Sequence, residues 1–322
     1  MAFPRVDLSF PPSFFDRRDL VTDTTRICIG NQPFGPITIK TRAPTLIPRP
    51  ETEDWTIRLA SVLEDRFPTK IGGKKRALRM LDLCTGTGCV PILLSHLRRQ
   101  SGGITVAYGI DISTNAVSLA RENATDHWLA PSSGLDCPAS HHGGPEANTN
   151  LEATGELGVR ANHCRGTADL IGTNAGDDGH TSTLDVIHAD ILQEDFVRLV
   201  LTLAEPAFDV ITSNPPYIPL DEYERLPNSV KEWEDRRALL GDPPTRRSQD
   251  TGSRGLGLGF YHRIAEIVSI DGVLGANGVV ALEVGHRQAE EVREILEESG
   301  KVSVTEVWND PWGVPRAVIG HR

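Results

Sequence analysis

The residues from Leu78 to Cys89 read Leu-Arg-Met-Leu-Asp-Leu-Cys-Thr-Gly-Thr-Gly-Cys, and this stretch decides the fold class. Its first half is apolar enough to predict a buried strand of a parallel sheet. Gly86 and Gly88 then form a turn, and the apolar residues that follow recur at helical spacing. A strand, a glycine turn and a helix in this order are typical of the opening of a doubly wound α/β fold.

The glycine turn departs from the dinucleotide-binding pattern at its third position, which is Pro91 rather than glycine or alanine. Proline is tolerated there because it falls in the first turn of the predicted helix. The two glycines still let a ligand approach the backbone closely. The pattern therefore favours a cofactor that has no phosphate at this turn, such as S-adenosylmethionine.

Aspartates follow the next two predicted strands. Asp111 closes the strand 104–110, and Asp190 closes the strand 184–189. A carboxylate about 20 residues after the glycines accepts hydrogen bonds from ribose hydroxyls in nucleotide-binding folds, and one at the next strand end suits an adenine amino group. Each has a structural alternative, because Asp111 or Ser113 is a candidate helix N-cap and Asp190 a turn residue.

The stretch from Val210 to Tyr217, Val-Ile-Thr-Ser-Asn-Pro-Pro-Tyr, predicts a buried strand that breaks into a rigid turn. In open α/β sheets, ligands bind at the carboxyl ends of the strands. The Asn214 side-chain oxygen and the Pro215 carbonyl offer two acceptors, which suit the two donors of an NH2 group. The Tyr217 ring offers a flat face. The turn predicts a pocket for a planar substrate with an NH2 group; the alternative is a structural Asn-Pro turn.

The composition indicates an acidic globular protein of 322 residues with a net charge of −11. Proteins that bind a nucleic-acid backbone usually carry a basic surface, so a direct nucleic-acid partner is not expected. No apolar run reaches the length of a membrane span. The five cysteines show no paired spacing, which favours a reducing compartment and predicts no metal site.

The chain divides into segments of different character. Residues 1–32 are weakly patterned, 33–76 predict a hairpin and an amphipathic helix, and 77–322 form the α/β domain. Residues 129–182 are rich in small polar residues and predict a disordered insertion, whose histidines and cysteines match no zinc pattern. Residues 218–256 are expected to form a long polar loop, a candidate lid or partner surface.

The stretch Thr45–Glu53 reads Thr-Leu-Ile-Pro-Arg-Pro-Glu-Thr-Glu and opens the predicted helix 51–67. Pro50 suits the first helical position, and acids in the first turn complement the helix dipole. One interpretation is that Arg49 and Glu51 serve only to start this helix. A stiff charged loop between prolines is also typical of a site lining.

Four separated stretches together resemble the release-factor glutamine N5-methyltransferases. They are Thr45–Glu53, Leu81–Gly88, Ser213–Ile218 and the ending Trp308–Gly320, which holds Asp310 and Arg316. Asn-Pro-Pro-Tyr is shared with amino-methyltransferases of nucleic-acid bases, whereas Arg-Pro-Glu-Thr is more restricted and favours this family. The resemblance spans 33–322 apart from 129–182.

The resemblance implies a class I S-adenosylmethionine-dependent methyltransferase fold. This fold is a Rossmann-like seven-stranded sheet whose last strands are antiparallel, here with a short N-terminal hairpin and helix. The implied cofactor contacts are Asp82, Thr85, Gly86, Gly88, Asp111, Asp190 and Asn214. The implied catalytic residues are Asn214, Pro215 and Tyr217. The implied substrate contacts are Arg49, Pro50, Glu51, Pro216 and Tyr217.

The implied substrate and protein partner is the glutamine of the Gly-Gly-Gln loop in a peptide chain release factor. The insertion looks eukaryotic, and eukaryotic members with the Arg-Pro-Glu-Thr stretch are typically mitochondrial; otherwise a cytoplasmic location is expected. Family members usually carry a helical N-terminal domain, which the 32 weakly patterned residues are too few to form. Two alternatives stay open: an amino-methyltransferase of adenine or cytosine in nucleic acid, and a non-catalytic partner subunit with the same fold.

Overall fold

A computed structural model of the protein describes residues 30–129, 131, 181–242 and 255–322. The first 29 residues and nearly all of the predicted insertion at 129–182 lie outside this range, and so do the histidines and cysteines of that insertion. Among the residues described, no helix is both long and apolar enough to cross a membrane.

The strands form one large sheet and two short hairpins. The hairpin strands are β1 (Asn31–Phe34), β2 (Ile37–Lys40), β3 (Lys70–Ile71) and β4 (Lys74–Lys75). The large sheet contains β5 (Ala77–Leu83), β6 (Ile104–Asp111), β7 (Thr183–His188), β8 (Phe208–Ser213), β9 (Leu274–Glu283), β10 (Val304–Asn309) and β11 (Pro315–His321). The β3–β4 hairpin was not expected from the sequence.

The helices follow the strands as a doubly wound fold requires. They are α1 (Pro50–Arg66), α2 (Cys89–Gln100), α3 (Thr114–Asp126), α4 (Phe196–Leu203), α5 (Leu220–Arg225), α6 (Asn228–Trp233), α7 (Arg236–Leu239), α8 (Gly259–Ser269) and α9 (Ala289–Glu298). The predicted helix at 51–67 is thus confirmed to within one residue at either end.

The large sheet has the strand order β10-β11-β9-β8-β5-β6-β7. β5 is an interior strand and pairs in parallel with both β6 and β8. β11 pairs antiparallel with β9 and with β10. The predicted antiparallel pair at one edge is therefore confirmed, and the order reverses at β5, where open α/β sheets bind ligands.

Two apolar layers cover the faces of the sheet. Side chains alternate across a strand, so Met80 packs in one layer and Leu81 in the other, as do Val210 and Ile211. The first layer is built by α1, α2 and α3 and the second by α4, α8 and α9. β1, β2 and α1 share the first layer with α2, so the predicted N-terminal unit packs directly on the sheet.

Residues 220–239 are not the polar loop expected from the sequence, since they fold into the three short helices α5, α6 and α7. Pro219 and Pro227 precede two of these helices, and proline is well suited to a helix start. Leu226, Val230 and Leu239 form a small buried cluster with Ile218, Leu46 and Tyr217. These apolar residues are too widely spaced to show a helical period, which is why the sequence predicted a loop. Residues 243–254 of the predicted loop lie outside the described range.

A buried asparagine fastens the β1–β2 hairpin to the α/β domain. Asn123 of α3 is fully buried, and its Oδ1 accepts from the Lys40 backbone N–H over 2.8 Å. Its Nδ2 donates to the carbonyl oxygens of Lys40, over 3.2 Å, and of Thr87, over 2.9 Å. One side chain therefore satisfies three backbone groups from the hairpin and the glycine turn.

We predict that Asn123→Ala lowers the free energy of unfolding by about 2–4 kcal/mol, because three backbone groups in buried or partly buried hydrogen bonds lose their partner. Urea unfolding measures this change. Asn115→Ala removes an exposed amide from the same helix and serves as the control, with an expected change within about 0.5 kcal/mol. Equal stability of the two variants would contradict the fastening role.

Candidate active site

The glycine turn after β5 is attached to the end of β6 by two hydrogen bonds that its backbone N–H groups donate. The Thr85 N–H donates to the Ile110 carbonyl, and the Gly86 N–H donates to Asp111 Oδ2, each over 2.9 Å. Cys84 and Gly86 both have positive φ, 59° and 57°. Glycine tolerates this backbone conformation and cysteine rarely adopts it. The turn is therefore held in a strained shape by its neighbour strand, as is common at functional sites.

Asp111 uses both carboxylate oxygens to receive backbone donors. Oδ2 accepts from Gly86, and Oδ1 accepts from the Ser113 N–H over 2.8 Å. Burial raises the pKa of Asp111, and the two N–H donors oppose the rise. Ser113 caps α3 by accepting from the Ala116 N–H at 3.5 Å. Asp111 is thus not the helix cap, and each of its oxygens keeps a lone pair for a further donor.

Asp190 lies beside Asp111 after the end of the next strand. The Ala189 N–H donates to the Asp111 carbonyl over 3.0 Å, which joins the two strand ends. Asp190 Oδ1 accepts from the Leu192 N–H, and Oδ2 accepts from the Gln193 side chain, each over 2.9 Å. Asp190 therefore combines the turn role of the structural alternative with a position next to Asp111.

One cavity of about 390 Å³ opens at this edge of the sheet, within the usual size range of small-molecule sites. It brings together predicted site residues from four strand ends, namely Gly86, Asp111, Asp190, Asn214 and Pro216. The rest of the wall includes Thr45, Leu46, Cys84, Ile110, Ile112, Ala116, Ile191, Leu192, Phe260 and residues of the segment Asp235–Leu240.

The glycine at position 86 leaves space in this cavity. A Cβ built on Gly86 would meet no atom within 4 Å, so the side-chain face of this glycine borders open space, while its N–H is taken by Asp111. Asp111, Asp190 and Asp235 line the cavity, and Arg237 pairs with Asp235 at 2.7 Å. The walls are otherwise mostly apolar, and acidic groups at the rim suit a ligand with hydroxyl and cationic groups.

Asn214 contacts the first turn of α1. Its Nδ2 donates to Thr52 Oγ1 over 3.3 Å, and the Thr52 hydroxyl donates to Glu283 Oε2 over 2.5 Å. Trp55 Nε1 donates to the same oxygen over 2.8 Å. Burial raises the pKa of Glu283, and the donors Thr52 and Trp55 oppose the rise. The sequence reasoning missed Thr52 and Glu283, although Thr52 lies within the quoted Arg-Pro-Glu-Thr stretch.

The turn that ends in Tyr217 is enclosed by close packing. A Cβ on Gly241 would lie 2.5 Å from the Gly257 carbonyl oxygen and 2.7 Å from Tyr217 Cα, so only glycine fits there. Gln288 Nε2 donates to the Tyr217 carbonyl over 2.9 Å. Burial raises the pKa of Tyr217, helped by the negative charge of Glu283. The Tyr217 ring packs between two apolar clusters and is not part of the cavity wall.

The predicted substrate residues before α1 form ion pairs beside the cavity instead of lining it. Arg49 contacts Glu234 at 2.7 Å, and both side chains are largely buried. Glu51 lies 3.5 Å from Arg316, whose Nε donates to Asp310 over 3.0 Å. The Arg-Pro-Glu-Thr stretch thus meets both the residue that follows α6 and the part of β10, β11 and their connection that holds Asp310 and Arg316. Pro50 is exposed at the first position of α1.

Three of the predicted cofactor residues do not line the cavity. Asp82 is buried, and its Oδ1 accepts from the Thr212 hydroxyl over 2.6 Å. Thr85 is buried against Gly109. Gly88 faces α3, since a Cβ there would lie 3.3 Å from Ala120 Cβ. These residues shape the glycine turn from beneath, and their direct contact with a cofactor stays a prediction. Pro215 is also buried and outside the cavity wall.

The cysteines at the glycine turn carry unpaired thiols. Cys84 lines the cavity and Cys89 is buried. Burial raises the pKa of both thiols, which disfavours the thiolate that metals and electrophiles require. Within the described ranges, no group of three or more histidine, cysteine or acidic side chains is arranged to hold a metal ion.

The strand order, the reversal at β5 and the cavity at that edge define the class I methyltransferase fold. A solved structure, the human methyltransferase 10 domain containing protein, aligns with a TM-score of 0.50. The alignment covers 95% of this chain and 97% of that one at 12% sequence identity, so it bears on the fold alone.

Sequence comparison shows which methyltransferases this chain is similar to. No family model matches the chain. It is similar to the release factor glutamine methyltransferase of Thermodesulfovibrio yellowstonii, with 28% identity over 307 residues, 95% of this chain and 79% of that protein. The protein of the same name from Bacillus anthracis is 26% identical over 291 residues, 90% of this chain and 74% of its own. The resemblance to release factor glutamine methyltransferases is therefore confirmed along nearly the whole chain.

We predict that Asp82 makes stability depend on pH. Burial raises the pKa of Asp82 to about 7, whereas an aspartate in an unfolded chain titrates near about 3.9. Between these values the folded chain holds a proton that the unfolded chain has released, so the free energy of unfolding falls as pH rises. Asp82→Asn removes this titration and still accepts from Thr212.

The expected result is that Asp82→Asn gains stability relative to the wild type as pH rises from about 4 to about 7, by about 2–4 kcal/mol. Denaturant unfolding at several pH values measures it. Asp65→Asn, on the exposed side of α1, controls for the general loss of a carboxylate. Parallel curves for the wild type and Asp82→Asn would contradict the assignment.

Proposed function

We propose that this protein is a protein-(glutamine-N5) methyltransferase. It transfers a methyl group from S-adenosylmethionine to the side-chain nitrogen of the glutamine in the Gly-Gly-Gln loop of a peptide chain release factor. The observation that carries the proposal is that Asn214 shares one cavity with Gly86 and Asp111. The names of the relatives, release factor glutamine methyltransferase, support the same substrate.

The cavity residues fit S-adenosylmethionine. Gly86 leaves open space over the turn, where the methionine portion can approach the backbone. Asp111 keeps acceptor capacity on both oxygens for the two ribose hydroxyls. Asp190 adjoins it with a carboxylate for the adenine amino group, and Ile112 and Phe260 supply apolar walls. When bound, the cofactor supplies an electrophilic methyl group on a sulfonium.

The protein's contribution to the chemistry is orientation and charge stabilisation. An amide nitrogen is a weak nucleophile because its lone pair is delocalised into the carbonyl. Asn214 Oδ1 and the Pro215 carbonyl accept the two N–H groups of the glutamine amide and fix the direction of its nitrogen. The same two acceptors stabilise the positive charge that develops on the nitrogen. No strong base is needed, since the proton is lost after transfer.

The remaining predicted site residues are assigned to contacts with the substrate. Pro216 lines the cavity next to Asn214, and we assign it to the glutamine side chain. Arg49 and Glu51 lie in ion pairs just outside and are assigned to the protein substrate. The Tyr217 ring packs between two apolar clusters, and we assign it to holding the turn beneath the substrate. The charged side chains here are of both signs, which suits a protein surface better than a phosphate backbone.

A mitochondrial setting, in which the substrate is the organelle's release factor and methylation serves translation termination, is the finer part of the proposal. It rests on the composition of the insertion at 129–182 and on the Arg-Pro-Glu-Thr stretch. Deleting the gene and measuring the methylation of the host's mitochondrial release factor by mass spectrometry tests it. An unchanged methylation level would remove this part and leave the reaction itself in place.

The reaction is tested by incubating the protein with methyl-labelled S-adenosylmethionine and three acceptors. These are a release factor, the same factor with the loop glutamine replaced by alanine, and a mixture of DNA and RNA. Label is expected in the intact release factor alone. Label in nucleic acid would instead favour an adenine or cytosine amino-methyltransferase. Cofactor binding without any transfer would favour a non-catalytic subunit.

We predict that Asn214→Ala lowers the turnover number for release-factor methylation by at least about tenfold, the low end for losing one transition-state hydrogen bond. Calorimetric titration should show that S-adenosylmethionine binding is largely kept, because Asp111 and Gly86 are unchanged. Asn115→Ala, on the exposed face of α3, is the control. Full turnover by Asn214→Ala would refute the role given to this amide.

A further inference from the structure

Thr52 connects the candidate catalytic asparagine to a buried carboxylate. It is the third residue of α1 and is 2% exposed. Its hydroxyl donates to Glu283 Oε2 and accepts from Asn214 Nδ2. Glu283 is itself 3% exposed and is held from its other side by Trp55. These four residues form a continuous chain of hydrogen bonds from the apolar layer to the cavity.

When Glu283 is ionised, the proton arrangement in this chain selects one orientation of the Asn214 amide. A hydroxyl has one proton to donate, and the Thr52 proton is committed to the Glu283 carboxylate. Thr52 therefore has only lone pairs to offer Asn214, and these attract the NH2 side of the amide. The reversed amide would set its oxygen against the Thr52 oxygen with no proton between them. The NH2 group faces Thr52, and Oδ1 is left for the cavity.

We propose that Thr52 is a positioning residue, fixed by Glu283, that orients the Asn214 amide with its oxygen toward the substrate. This inference rests on the proposed function and deepens it, because a substrate NH2 group needs an acceptor at this point. An unrestrained asparagine amide presents its NH2 or its oxygen by rotation about one bond, and only the oxygen suits an NH2 substrate. Thr52 removes this ambiguity before the substrate arrives.

The chain also transmits charge toward the reacting nitrogen. Consecutive hydrogen bonds polarise one another in a buried environment. Glu283 draws the Thr52 proton, which makes the Thr52 oxygen a better acceptor for Asn214 and the Asn214 oxygen a better acceptor for the substrate. Positive charge develops on the nitrogen while it is methylated. The polarised Asn214 oxygen therefore stabilises the transition state more than it stabilises the bound substrate.

Thr52→Val tests the assignment, since valine keeps the shape of threonine and lacks the hydroxyl. The expected result is a turnover number lower by about tenfold or more, the scale seen when the partner that orients a site residue is removed. The affinity for S-adenosylmethionine should change little, whereas the melting temperature should fall because the buried Glu283 carboxylate loses a donor. Thr52→Ser restores the hydroxyl and is expected to recover most of the turnover.

Thr56→Val is the matched control. Thr56 is also buried one turn further along α1, but its hydroxyl donates to the Thr52 carbonyl of its own helix, over 2.6 Å. It is expected to keep wild-type turnover. A similar loss in Thr56→Val and Thr52→Val would show that a buried hydroxyl in α1 matters for structure alone, and would overturn the positioning role.

A double-mutant cycle separates positioning from a general structural effect. If Thr52 acts through Asn214, then Thr52→Val should cause no further loss of turnover once Asn214→Ala is present. An equal fractional loss in both backgrounds would overturn the inference. Absence of transfer by the wild type would contradict the proposed function instead, so the two failures are distinguishable.

The orientation itself is measurable without any substrate. The side-chain 15N–1H signals of Asn214, assigned by their loss in Asn214→Ala, should move in Thr52→Val and stay in place in Thr56→Val. Unchanged Asn214 signals in Thr52→Val would show that the amide does not depend on Thr52, and would overturn the inference whatever the substrate is.

Discussion

Parallel pairing sets Leu83 of β5 level with Ile110 of β6 and with Ser213 of β8, and Ser213 level with Leu282 of β9. The residues that directly follow these four strand positions therefore lie together at one edge of the sheet. The residues that follow are the glycine turn after Leu83, and then Asp111, Asn214 and Glu283. A shift of one residue in any pairing would turn its side chains to the opposite face and dismantle the cavity.

The acidic groups at this edge are buried to different degrees and are satisfied in different ways. Asp111 receives two backbone N–H donors and still faces the cavity. Asp82 and Glu283 receive side-chain donors and are sealed beneath it. Burial raises the pKa of all three carboxyls. The carboxylate that faces the cavity is thus held by backbone donors, and the two beneath it are held by side-chain donors.

The parts of the site that the sequence predicted are those set by local pattern. The β5 strand, the glycine turn and the start of α2 are contiguous, and a strand end followed by Asp111 or Asn214 is visible in a few residues. The Ser113 cap was among the alternatives for the same reason. The resemblance implies Asp82 as a cofactor contact, which stays a prediction, but its hydrogen bond with Thr212, opposite it in the β5–β8 pairing, was not visible in the local pattern.

The parts that the sequence did not predict depend on contacts between distant residues. Thr52 and Glu283 are 231 positions apart, and no local pattern pairs them. The Asp235–Leu240 wall was hidden because its helix is a single turn whose apolar residues meet Ile218 and Leu46 instead of each other. Long-range packing also explains Gly241. The Tyr217 backbone passes so close to this position that no residue with a side chain fits there.

The most direct measurement is a crystal structure of the protein with S-adenosylhomocysteine and a release-factor fragment that contains the Gly-Gly-Gln loop. We expect the glutamine side-chain nitrogen to lie about 2.7–3.2 Å from both Asn214 Oδ1 and the Pro215 carbonyl oxygen. We also expect the ribose hydroxyls to contact Asp111. A glutamine amide bound away from Asn214, with the cofactor product in the cavity, would contradict the proposed role of this asparagine.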